Sequence, residues 1–305
     1  MKYIGLQSQI SRNNRNSFLL LIAFPALLLG MVYIFFFFVD EQKTERVNEH
    51  FLIAVPFVIV VVSLWFLIAW ASHTAIIRMA TGARPLERIE NKRVYNLTEN
   101  LCIQTGMTMP KIYVINDDSL NAYASGINSK TYAVTLSKGI IEKLDDEELE
   151  GVIGHELTHI RNRDTRLLII SIIFVGIFAF LAQMALRSLR FGSSGRKKDG
   201  GYIVLIAIAV TAVCYFISLF LRFGISRSRE YLADAGAAEL TKKPYALANA
   251  LRKVSGDPRI EAVKSKDVAQ LFIENPQEEK KNFFNSLFDT HPPIKKRIEL
   301  LEQFV

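Results

Sequence analysis

Cysteine is nearly absent from this chain of 305 residues; there are two, Cys102 and Cys214. One falls in a polar block and the other inside an apolar stretch, so no disulfide is expected, and the composition suits a reducing compartment. Two separated cysteines also cannot build a closed structural zinc site, which takes four protein ligands and often thiolates. Histidine is scarce too, with only His50, His73, His155, His159 and His291. The net charge is +7, yet there is no long basic run and no RNA-binding motif, so nucleic acid is not an expected partner. Internal repeats and low-complexity tracts are missing as well.

Apolar sequence, by contrast, is abundant. Half the residues are apolar although 22% are charged, so the apolar ones must be concentrated. They lie in four stretches, Phe18–Val39, Phe51–Ser72, Leu167–Leu186 and Tyr202–Leu221. Each is long enough for a bilayer span of ~20 residues. The first two carry no charge. The last two hold more Ala, Ser and Gly, together with Gln183, which leaves buried soluble helices a stronger alternative there. The first run is longer than the core of a signal peptide and is followed by Asp40-Glu41 rather than a small-residue cleavage site, so a retained anchor is expected. The basic residues flanking the spans would meet anionic lipid head groups.

Lys2, Arg12 and Arg15 precede the first stretch, and Arg78, Arg84, Arg88, Lys92 and Arg93 follow the second. Positive flanks stay in the cytosol, so the N-terminus and the block after the second span are expected there. The loop Asp40–His50 has only Lys43 and Arg46 among several acids. The loop Leu189–Gly201, with Arg190, Arg196, Lys197 and Lys198, argues the other way. Either it is translocated against its charge, or the third and fourth stretches enter the membrane without crossing it.

The organisation reads as an N-terminal anchor with two spans (1–72), a first polar block (73–165), an apolar hairpin (166–222) and a second polar block (223–305). In the first block a helix is expected over Arg84–Leu101. Strands are expected over Lys111–Ile115, Asn121–Gly126 and Thr131–Leu136, the last two joined at Asn128-Ser129. The second polar block reads as mostly helical and ends in an amphipathic helix, Ile294–Phe304.

The chemistry is concentrated in His155-Glu156-Leu157-Thr158-His159. On a helix, positions i and i+4 share a face, one turn and roughly 6 Å apart, and two such imidazoles can close on one metal ion. Glu156 is rotated by about 100°. It cannot easily share the metal, but it can reach water held there, as metal-assisted peptide hydrolysis requires. The residues before the motif support the helix. Acids at Asp145-Asp146-Glu147-Glu148 suit a helix start, with Asp145 or Asp146 as N-cap. Leu149, Val152, Ile153, Leu157 and Ile160 then recur at helical spacing as a core face.

Catalytic zinc normally takes three protein ligands. Just past the fourth apolar stretch, Glu230 and Asp234 lie at i and i+4 on one helix face. Spacing alone leaves two readings open there: a ligand with a carboxylate partner behind it, or a charged helix balanced by Arg227 and Arg229. Asp164 and Glu239 are competing carboxylates.

Taken together, H-E-L-T-H at 155–159 with Asp164, followed after a two-span hairpin by Glu230-Tyr231-Leu232-Ala233-Asp234, resembles the HtpX-type membrane metalloproteases. These are gluzincins related to the CAAX prenyl endopeptidases. Asn121–Gly126 and Thr290-His291-Pro292-Pro293 extend the likeness over nearly the whole chain, and the very basic loop is its main departure. The resemblance implies a mainly α membrane protein, with four transmembrane helices and a cytosolic α+β metalloprotease domain containing a small β-sheet. It implies one Zn2+ per chain held by His155, His159 and Glu230, with Glu156 as general base, Asp234 orienting a ligand imidazole, and His291 close to the active site. It further implies zinc endopeptidase activity on misfolded or damaged membrane proteins, in a bacterial-type plasma membrane with the site facing the cytosol.

Because His155 and Glu230 would meet at one ion, the two apolar segments between them must go out and return as a hairpin. The strand Thr131–Leu136 is a candidate sheet edge for pairing with an extended substrate; an internal strand is an equal alternative. A membrane scaffold or transporter with a structural zinc is the competing class.

Overall fold

The computed structural model describes residues 6–40, 43–191, 200–223, 227–257, 260, 271–273 and 292–303. The chain forms two compact units. One comprises Arg15–Ser72 and Ile170–Gly224, the other Met1–Asn14, His73–Ile169 and Ile225–Val305. Helices α1 (Leu6–Val39), α2 (Thr44–Thr81), α6 (Asp164–Phe191) and α7 (Gly200–Phe223) supply the apolar unit. Three described helical segments are long and apolar enough to cross a membrane: Ile10–Val39, Thr44–Thr81 and Asp164–Met184. In α7 the apolar run among described residues is the shorter Leu205–Ile217.

Within this unit Phe24 stacks on Phe174 at 4.8 Å, Phe66 packs on the same ring at 5.4 Å, and Trp65 donates to the Ile173 carbonyl at 3.4 Å. The outward face of α2 leaves Leu52, Ile53 and Phe57 about 70% exposed (70%, 68% and 71%). A run of large apolar side chains this exposed is what a helix facing lipid presents.

The other unit holds the sheet and the motif helix. Its strands are β1 (Arg84–Pro85), β2 (Lys111–Ile115), β3 (Ala122–Ser125) and β4 (Ala133–Ser137), in the order β1-β2-β4-β3. β4 runs parallel to β2 and antiparallel to β3, so Tyr113, Thr135 and Tyr123 stand side by side on one face. Alternation puts Ile112, Val114, Val134, Leu136, Ala122 and Ala124 on the other face, which packs into the core with α3 (Lys92–Thr105) and α5 (Asp146–Arg161). The short α4 (Lys138–Lys143) joins β4 to α5. Helices α8 (Arg227–Thr241), α9 (Pro244–Val254) and α10 (Ile294–Glu302) complete the core.

Two sequence expectations need correction. The helix expected over Arg84–Leu101 starts at Lys92, because Arg84–Pro85 pair with β2 and Asn91 caps the helix by accepting from the Val94 N–H. It runs on to Thr105, where Gly106 takes a left-handed turn (φ 66°). The strand expected over Thr131–Leu136 is not an edge. β4 lies between β2 and β3, and Thr131 and Tyr132 belong to the turn before it, where both N–H groups donate to the Asn128 carbonyl. The edge strands are β1 and β3, and on the outer side of β3 Phe272 and Ile273 pair antiparallel at its start.

Candidate metal centre

The motif helix starts with a capping box. The Asp145 carboxylate accepts from the Glu148 N–H at 2.9 Å, and the Glu148 carboxylate accepts from the Asp145 N–H at 3.0 Å. Leu149, Val152, Ile153 and Leu157 have no exposed surface and Ile160 has 2%. This anchors one face of α5 and turns His155 and Glu156 inward, with 0% and 1% exposure. The two imidazoles meet edge to face, Nε2 to Nε2, at 3.1 Å.

Helix α8 brings in the third group. Glu230 Oε2 lies 3.6 Å from His155 Nε2, and Glu230 Oε1 lies 3.4 Å from His159 Nε2. Two neutral imidazoles and a carboxylate are a common donor set for a first-row divalent ion. At metal–ligand distances of about 2.05 Å, tetrahedral geometry separates donor atoms by roughly 3.3 Å. The two Nε2 atoms, 3.1 Å apart, are close to that spacing, and each faces one oxygen of the Glu230 carboxylate, His159 facing Oε1 at 3.4 Å and His155 facing Oε2 at 3.6 Å. Glu156 supplies a second sign of fit. Among the described residues neither of its buried carboxylate oxygens has a hydrogen-bond partner, an arrangement that is costly unless a cation or its water faces them. Burial pushes the Glu156 pKa up. His155 and His159 pull it down, Glu230 adds to the rise, and the Ala124 backbone N–H opposes it without completing a bond.

Each imidazole has a carboxylate behind it. His155 Nδ1 is 3.0 Å from Asp234 Oδ1, and His159 Nδ1 is 3.0 Å from Asp164 Oδ2. Such partners fix the tautomer and aim the other nitrogen inward. Sequence spacing brought Asp164 in as a competing ligand and as part of the family likeness, but did not show this contact. It arises because Arg163 adopts a left-handed conformation (φ 62°) that ends α5 and swings Asp164 back along it. Arg297 was also missed. It has no exposed surface, and its Nε and Nη2 donate to the two Asp234 oxygens at 2.8 and 2.7 Å. Its Nη1 donates to the Ile273 carbonyl at 3.0 Å. Burial alone would raise the Asp234 pKa, but the Arg297 charge and hydrogen bonds hold it down. Glu239 is not among the grouped donors, and His291 lies outside the described residues.

Small residues let α8 approach α5 closely enough for this convergence. A Cβ at Gly236 would come within 2.5 Å of Thr158 Cγ2, and one at Gly154 within 3.7 Å of Ala237. Thr158 cannot swing away, because its hydroxyl donates to the Gly154 carbonyl at 2.8 Å. Gly236→Ala is therefore expected to lower stability by about 1–3 kcal/mol through overpacking. Adding Thr158→Ala should recover most of that loss, as thermal unfolding of the three variants would show.

Residues 88–305 match Peptidase family M48. A protease HtpX homolog of Bacteroides fragilis is 57% identical over 322 aligned residues, covering 100% of both chains. One from Listeria monocytogenes is 34% identical over 97% of this chain and 99% of its own. The crystal structure of S. mikatae Ste24p shares the fold, with a TM-score of 0.51 at 21% identity over 89% of this chain and 61% of that one. With a family match over most of its length, and a relative this similar from end to end, the chain belongs to Peptidase family M48.

Proposed function

We propose that this chain is a membrane-integral, zinc-dependent endopeptidase that cleaves polypeptides, misfolded or damaged membrane proteins among them, at a site facing the cytosol of a bacterial-type plasma membrane. The carrying observation is the buried Glu156 carboxylate, without a hydrogen-bond partner among the described residues, beside the group of His155, His159 and Glu230. Three protein ligands leave a tetrahedral ion one open position, the arrangement of a catalytic rather than a structural site. Apolar helices of span length, the protease names of the relatives, and basic flanks on one side of the anchor support the rest. In this reading α7 is the fourth span.

His155, His159 and Glu230 would hold the ion, and Asp234 and Asp164 orient the two rings. When bound, zinc polarises the scissile carbonyl and acidifies water toward a pKa of about 7. Glu156 takes the proton of the attacking water and hands it to the leaving amine. Its upward-shifted pKa suits a base that must release that proton again. The resemblance adds His291 as a donor to the developing oxyanion. The edge of β3 beyond the Phe272 pairing, where the Ala124 N–H points toward Glu156, would pair with an extended peptide through backbone groups alone, giving broad sequence tolerance. Purified protein with zinc should digest casein. A zinc chelator should stop digestion and added zinc restore it. Failure to digest casein and other unstructured chains with zinc bound would refute the reading. Single cysteines placed in 43–50 and in 82–90 should label from outside only in the first segment; labelling of the second in intact cells would reverse the orientation.

The metal-free site also makes stability depend on pH. Burial acts to lower the His155 pKa, but its hydrogen bonds to the acceptor carboxylates of Asp234 and Glu230 and the Asp234 charge raise it to about 9. A histidine raised in the fold stabilises it fully below the unfolded value of about 6.5 and loses that stabilisation as pH rises through the folded value. Metal-free protein should therefore lose Tm, on the order of 5 °C, between about pH 6.5 and 9. Zinc-loaded protein, with His155 already deprotonated, should not. Thermal shift with and without zinc across that range checks the sign.

A further inference from the structure

Helix α1 begins before its apolar stretch, and its first turns belong to the same compact unit as the metal centre. Asn13 there is 7% exposed and makes two bonds through its amide. Nδ2 donates to Asp164 Oδ1 at 2.7 Å and to the Asn162 carbonyl at 2.8 Å. The other Asp164 oxygen, Oδ2, is the one that faces His159 Nδ1 at 3.0 Å. The neighbouring Asn14 Oδ1 accepts from Arg163 Nη1 at 2.9 Å. Two consecutive asparagines thus clasp the turn 162–164. That turn requires support, because Arg163 holds a left-handed conformation (φ 62°) that disfavours side chains with a Cβ.

We propose that Asn13 is a positioning residue of the metal centre. Its amide fixes the Asp164 carboxylate, Asp164 keeps the proton of His159 on Nδ1, and His159 therefore presents Nε2 as a ligand. The relay runs from the juxtamembrane start of the first span to a metal ligand, so the seating of α1 sets the geometry of the site. A free carboxylate could rotate about its terminal torsion; with one oxygen held by Asn13, the other stays on the imidazole. Asn13 itself touches neither metal nor substrate. This inference rests on the zinc-centre reading above.

The test uses the full-length chain in detergent or nanodiscs. Zinc affinity is measured by competition with a chromophoric chelator, and ligand geometry by the visible absorption of the Co2+-substituted protein. Asn13→Leu should weaken zinc roughly 3–10-fold, below the 10–100-fold expected for losing a carboxylate that bonds a ligand directly, and should alter the Co2+ spectrum. In an Asp164→Asn background the same substitution should add no further loss, since its route to the metal has been removed. Asn13→Ala, which removes the amide and adds no bulk or charge, should behave like Asn13→Leu and carries the test if the leucine variant does not fold. Wild-type zinc affinity and Co2+ spectrum in the Asn13 variants would overturn the inference, as would a loss that persists undiminished with Asp164→Asn. Failure of the unsubstituted chain to bind zinc would instead overturn the metal-centre reading itself.

Discussion

Glu156→Gln should leave one zinc per chain bound and reduce casein digestion by about 10²–10⁴-fold. The near-isosteric amide keeps the packing of α5, whose register depends on Leu149, Val152, Ile153 and Leu157 rather than on Glu156. It also leaves His155, His159 and Glu230 untouched, so the donor triangle survives. Only the proton acceptor is lost. General base catalysis alone accounts for about 10²–10⁴-fold, and no other described carboxylate is free to substitute. Glu230 sits in the triangle, Asp234 is engaged by Arg297, and Asp164 faces His159. The amide should also be easier to bury than a carboxylate lacking partners, so metal-free Glu156→Gln should be no less stable than the unsubstituted chain. Zinc content, digestion rate and Tm measured on one preparation separate these effects. Substantial activity in the variant would remove Glu156 from this role.

The motif helix was legible because every local signal agreed. Acids sit at its start, Asp145 is the N-cap, and the apolar positions recur at helical spacing. Three of the four strands were legible to within two residues for the same reason, whereas the two-residue β1 was read as the start of a helix. Strand order was not. A period-2 pattern shows which face is buried but not which strands are neighbours, and so edge and interior stood as equal readings of Thr131–Leu136, of which the interior one holds for β4. Asp164 stood in the sequence only as a competing carboxylate, because its contact with His159 depends on the left-handed turn at Arg163, which no spacing rule shows. Arg297 was hidden by its company, since Lys295 and Lys296 make the segment look solvated. A signal was nevertheless present. Ile294, Arg297, Ile298 and Leu301 occupy i, i+3, i+4 and i+7, so the arginine stands on the apolar face of α10. A lone charge at such a position requires a buried partner, and in this fold the partner is Asp234.

Arg297→Met should be more damaging to the fold than removal of a metal ligand, although Arg297 binds no metal. Its guanidinium is fully buried, spans both oxygens of Asp234, and lies 3.5 Å from Glu230 Oε2. Taking it away leaves buried carboxylates without their cation, at a cost of about 3–5 kcal/mol. Asp234 would then move toward its protonated form, because the Arg297 charge is the largest influence holding its pKa down against burial. A protonated Asp234 no longer holds His155 as an anionic acceptor, so zinc affinity should fall by about 10–100-fold as well. Lysine cannot repair this, since a single ammonium does not reproduce the two-pronged contact. The double variant Arg297→Met/Asp234→Asn should recover much of the stability, because the stranded charge goes with its partner, yet zinc binding should stay weak. Glu230→Ala makes the opposite pattern: no stoichiometric zinc after dialysis, but a fold still held by the Arg297–Asp234 pair. Denaturant unfolding and zinc titration of these variants would distinguish the two roles. Wild-type stability in Arg297→Met would show that the buried pair does not hold α10 to α8, and stoichiometric zinc in Glu230→Ala would displace Glu230 as a ligand.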